Sequence, residues 1–183
     1  MSKELDAILN KDANAKRTTV NGLISTILTK YSEWDRFAEK FGFVSLTGEL
    51  FRSLLEATDE EKLRRTAEEL GSELAKEVML FWFKELSLES FLAYLSNICR
   101  YGNLGEFELQ VAGGSYMISG HHEYGERWSM FLERFLREAM RSGLSINPQV
   151  DHSKNQVILR FQTGYPKSAN KQEAITSGSN LGR

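Results

Sequence analysis

One cysteine, Cys99, is all the thiol chemistry this 183-residue chain carries. A single thiol excludes an internal disulfide and a cysteine-based zinc site, and it fits a reducing, cytoplasmic setting. The sequence also lacks any apolar run near the length of a membrane span or secretory core, so no membrane partner is expected. Charge of one sign is scarce as well. The 23 basic residues against 25 acidic ones give a formal −2, with no global basic excess to announce nucleic acid or an anionic surface. Any anion-binding surface must therefore be local. No nucleophile, base and orienting group stand together, and no metal-ligand spacing or phosphate loop is visible, so neither an enzyme nor a cofactor is expected.

What the chain does have is 41% hydrophobic residues, enough for a real core in one ordinary domain or two small ones. Its first half reads as helix throughout. Ser2 caps a short helix bearing Leu5, Ile8 and Leu9, which ends in the polar "NKDANAKR". Thr19 then caps a long helix with Val20, Ile24, Ile27, Tyr31, Trp34, Ala38 and Phe41 at alternating steps of four and three, stopping at Gly42. That stripe predicts burial against another helix. A short helix with Leu50, Leu54 and Leu55 follows. Thr58 with Glu61 reads as a capping box opening a helix lined by Leu63, Ala67, Leu70, Leu74, Val78 and Phe81, which Gly71 bends or interrupts. Ser87 opens another helix, closed by Tyr101 and Gly102, with Cys99 as a small buried thiol among its apolar residues.

The second half changes period. "EFELQV" and "SYMISGHH" predict two strands joined through Ala112, Gly113 and Gly114, a turn rather than a phosphate loop. An amphipathic helix from Glu126 to Arg141 follows, ended by Gly143, and "INPQVDHSKNQVILRF" predicts a second hairpin about "HSKN". The fold class is α+β, a helical N-terminal half followed by a small β-β-α-β-β part. The expected divisions are residues 1–45, 46–102 and 103–162, with a disordered polar tail over 163–183.

The densest polar cluster is His121, His122 and Glu123, followed by Tyr124, Arg127 and Trp128. Adjacent histidines on a strand point to opposite faces, so at most one joins a common site with His152. A lone histidine serves equally as a capping or hydrogen-bonding group, and no metal is expected there.

The stretch "SKELDAILNKDANAKRTTVNGLISTILTKY", Ser2 to Tyr31, resembles the two helices of ribbon-helix-helix DNA-binding proteins. In that family two chains intertwine, paired strands preceding the first helix enter the major groove, and the second helix holds a phosphate at its N-terminus. The resemblance implies a phosphate clamp at Thr19, Val20 and Asn21, assisted by Lys16 and Arg17, and a homodimer built on Ile24, Ile27, Tyr31 and Trp34. The expected partner is DNA. From Met1 to Lys40 seven basic residues face six acidic ones, whereas Thr47 to Glu89 holds six against eleven and should turn away from DNA.

The C-terminal part, with Gly125-x-x-Trp128-Ser129 after a strand, is similar to sensor domains of the vinyl-reductase and haem-nitric-oxide-binding kind. That similarity implies a small apolar effector between helix and sheet near Tyr116, His121, Trp128 and Phe161. Together these readings make a dimeric transcriptional regulator with a C-terminal sensing or interaction domain. The rival is a helical protein-interaction scaffold that never touches DNA.

Overall fold

The computed structural model describes residues 2–163, so the expected tail beyond Thr163 lies outside the described residues. The architecture is α+β. Helices α1 (Lys3–Ala15) and α2 (Val20–Lys30) pack on each other at the N-terminus; a π-turn (Tyr31–Asp35) runs on without a break into α3 (Arg36–Phe41). Then come α4 (Gly48–Ala57), α5 (Glu60–Ser72), α6 (Leu74–Phe83) and α7 (Leu88–Gly102). Strands β1 (Glu106–Ala112) and β2 (Ser115–His121), helix α8 (Glu126–Leu144), and strands β3 (Gln149–Ser153) and β4 (Gln156–Gln162) complete the body.

Local chemistry sets most boundaries. Ser2, Thr19 and Thr47 each accept a hydrogen bond from the backbone N–H three residues on, satisfying one orphan donor at the start of α1, α2 and α4. The cap of α5 is Asp59, which accepts from Lys62 N at 3.0 Å, and not Thr58. Thr58 instead turns back, its hydroxyl donating to Leu54 O at 2.8 Å, so it closes one helix while its neighbour opens the next. Ser87 and Ser90 cap α7 reciprocally.

Two expected ends move. The long helix through Gly71 divides at Glu73, two residues later. Helix α8 passes through Gly143 and stops at Ser145, which takes the left-handed conformation itself at φ 56°. Gly143 has a different use, facing Met79 of α6.

The four strands form one antiparallel sheet in the order β1-β2-β4-β3. Gly113 and Gly114, both at positive φ, make the two-residue turn whose twist suits a hairpin. Register aligns Leu109, Ile118, Leu159 and Val150 across the face that meets the helices, one step from the row Phe107, Gly120, Val157 and His152. Helix α8 lies on that face with Phe135, Leu136, Ala139 and Met140 buried, and α5 crosses α8 where Gly71 lets the backbones approach.

One hydrophobic cluster runs from Trp34 through Val78, Phe91, Ile118 and Leu136 to Phe161, joining the stretches 46–102 and 103–162 in one core. The α1–α2 pair has only a small cluster of its own, Leu9, Ala13 and Leu23 with Val20 and Ile24 packed on it.

Candidate functional site

The N-terminal pair turns sharply at Lys16 and Arg17, the latter at φ 52°. Thr19 Oγ1 takes the Gly22 N–H at 3.0 Å, which leaves the N–H groups of Val20 and Asn21 directed out of the helix end without intrahelical partners. Gly22 allows this corner to close, since a Cβ there would meet Thr18 Oγ1 at 2.7 Å. Lys16 and Arg17 are exposed, and neither has an ion-pair partner among the described residues. The body treats arginine differently: Arg64, Arg134, Arg137, Arg141 and Arg160 each meet a carboxylate. The five residues of the expected phosphate clamp therefore sit together on one exposed corner.

The expected dimer stripe does not hold together as one face. Ile27 and Tyr31 are 50% and 56% exposed, Ile24 is partly covered by the α1–α2 cluster, and Trp34 is only 7% exposed. Trp34 packs on Trp82 and Tyr101 in the chain's own core, so it is not available to a partner. The cause is the π-turn. Its wider winding holds the helix back by about a quarter turn over five residues, so the stripe upstream and the stripe downstream face different ways. Trp82 secures this turn by donating its indole N–H to Glu33 O at 3.2 Å, while the Glu33 carboxylate accepts from Tyr101 at 2.5 Å. Leu5 and Ile8 of α1 and Leu28 of α2, which the stripe did not include, are also about half exposed.

The histidines go to three separate environments. His121 is exposed at the end of β2 beside Gln156. His122 is buried: its Nδ1 accepts from Tyr124 N at 3.2 Å, so Nε2 carries the hydrogen and donates to Ser129 Oγ at 2.8 Å. Ser129 in turn donates to Lys154 O at 3.2 Å. Burial first, and then the neighbouring His121, lower the His122 pKa to about 4, which keeps the ring neutral. Ser129, the partner of His122, is fully buried. His152 pairs with Glu133 of α8 at 2.7 Å. Among the described residues no group of His, Cys, Asp and Glu side chains is placed to hold a metal.

The expected effector residues are also dispersed. Tyr116 stacks on its cross-strand partner Phe161 with ring centroids 5.0 Å apart, at one end of β2, whereas His121 is at the other end. Trp128 is buried beneath α4 against Phe51 and Phe131, its Nε1 without a hydrogen-bond partner among the described residues. A strand places residues five apart about 16 Å from each other, so no single small pocket includes all four. Near His121 lies instead an open polar cleft of about 800 Å³, bounded by Glu49 and Arg52 of α4, Asn103, and the β2–α8 loop. Arg52 donates to Glu123 O across it, and Asn155 ties the loop to the β3–β4 turn by accepting from Gly125 N at 3.0 Å.

Compared with known protein families, the chain matches no family model, and no curated protein matches it. No helix among the described residues is long and apolar enough to cross a membrane.

Proposed function

We propose that the chain is a homodimeric DNA-binding regulator in which the α1–α2 pair supplies both the dimer contact and the phosphate contact. The observation that carries this reading is where the apolar surface lies. Of fifteen large apolar side chains left exposed among the described residues, five, Leu5, Ile8, Ile27, Leu28 and Tyr31, lie on the α1–α2 pair and the turn that follows it. Exposed apolar patches of this kind often mark a contact site.

The corner at Thr19 supports the second part. Two outward N–H groups, the positive end of the α2 dipole and the unpaired Lys16 and Arg17 suit a phosphate oxygen. These contacts would position the protein without reading bases.

The test joins sedimentation to fluorescence polarisation on duplex DNA at stated salt. Ile27→Asp, on the exposed face, should turn a micromolar dimer into a folded monomer. Val20→Pro removes one N–H at a helix position that tolerates proline and should weaken DNA binding without unfolding. Lys16→Ala with Arg17→Ala should weaken binding to all sequences alike and flatten its salt dependence. A dimer that binds no DNA would instead favour the scaffold reading, for which the exposed Leu46, Leu50 and Leu54 stripe on and before α4 offers a surface. A parent chain that is monomeric at micromolar concentration would overturn the dimer.

A further inference from the structure

The face of β2 that meets the helices carries Tyr116, Ile118 and then no side chain at all, because the next inward position is Gly120. Its cross-strand partners, Phe107 and Val157, both belong to the core or pack on it. Nothing fills the place a side chain would take: a Cβ at Gly120 would find its nearest neighbours 3.9 and 4.0 Å away. Gly120 is not at positive φ, so the backbone does not require glycine here. Glycine weakens a strand interior, and there it often marks a place where something else approaches the backbone.

Above Gly120 lies a cavity of about 60 Å³ between α7, α8 and the sheet. Leu95 and Cys99 of α7, Phe107, Ile118 and Leu132 form its walls. Burial raises the Cys99 thiol to about 11, so the sulfur presents itself as a neutral, weakly polar group. Its lining is mainly apolar, with Glu106, His121 and His122 confined to one end, and mainly apolar cavities accept apolar molecules. The volume sets the size. A cavity of about 150 Å³ holds benzene, so this one is suited to something smaller. At one end Glu106, His121 and His122 line both this cavity and the polar cleft.

We infer that this cavity is a binding site for an uncharged apolar molecule smaller than benzene, and that Gly120 is the residue that keeps it open. The inference stands apart from DNA binding and survives if that reading fails. It also locates the expected effector site away from Tyr116, Trp128 and Phe161.

The experiment uses the full chain with ¹³C-labelled methyl groups, titrated with xenon, cyclopropane and benzene. Xenon and cyclopropane should give saturable shifts centred on Ile118, Leu95 and Leu132, and benzene none. Gly120→Val should fill the space, abolish the shifts and raise the melting temperature. Gly120→Ala, a smaller step, should weaken binding several-fold while keeping the fold. Unsaturable or dispersed shifts in the parent, or shifts as large in Gly120→Val, would overturn the site. Benzene binding as well as cyclopropane would overturn the size assigned to its ligand.

Discussion

Replacing Gly71 with alanine sets helix propensity against packing, and the structure decides which wins. Alanine is favoured over glycine in a helix by about 1 kcal/mol, and Gly71 lies near the end of α5, so that figure is an upper limit. The added Cβ would fall 2.4 Å from Phe135 O, 3.0 Å from Phe135 Cα and 3.1 Å from Glu138 Cβ. Two of these obstacles are α8 backbone, which cannot rotate away, and α8 is held on its other side by the sheet. Forcing extra volume into such a contact costs about 1–3 kcal/mol or more. The net expectation is a loss of about 2 kcal/mol, or a fall in Tm of roughly 4–8 °C for a chain of this size. Gly143→Ala is the control. There the Cβ would meet Met79 Cε at 3.4 Å and Lys76 Cγ at 3.7 Å, both on flexible side chains, so stability should hold or rise by up to about 1 kcal/mol. Urea unfolding followed by far-UV circular dichroism measures both. If Gly71→Ala is as stable as Gly143→Ala, the close α5–α8 crossing is wrong.

Two further outcomes follow from the buried His122 and the partly buried Cys99. His122 titrates near 6.5 in the unfolded chain but near 4 when folded, so the unfolded state binds the proton first as pH falls. Its contribution is complete above about pH 6.5 and declines towards pH 4, by roughly 3 kcal/mol at most. His122→Gln should remove that part of the acid slope from a series of urea midpoints; an unchanged slope would refute the assignment. Cys99, raised to about 11 by burial, should react with iodoacetamide at pH 8 at least about tenfold more slowly when folded than in urea. Equal rates would mean that the thiol is accessible.

The parts of this fold that were legible in the sequence are those written locally. Thr19 and Ser87 cap because a short hydroxyl ahead of an apolar run has few better uses, and Gly113-Gly114 turns because both positions need positive φ. Features fixed by distant residues were not legible. The stripe from Val20 to Phe41 looks continuous, and only the indole of Trp82, nearly fifty residues on, reveals that it splits at Glu33. Gly143 looks like a helix stop, but its real partner is Met79 on another helix. Tyr116 and His121 are close in sequence yet far apart in space, because a strand is the most extended way to join them. Gly120 interrupts the row of core-facing side chains on β2. That it opens a cavity depends on Phe107 and Val157, which the sheet register brings alongside.

The uninterrupted run from Val20 to Phe41 also has a mechanical meaning. A flexible linker would let the N-terminal pair move independently of the body, whereas a helical rod clamped at Trp34 makes them one lever. From that fulcrum to Val20 is about 20 Å at the helical rise. A tilt of about 10° at the Trp34 seat would swing the Thr19 corner by roughly 3–4 Å, more than the whole working range of a hydrogen bond. Trp34 rests against Gly102 of α7, the helix whose Leu95 and Cys99 wall the cavity. A rotation about the Trp34 seat would therefore be felt most at the end of the rod farthest from α7.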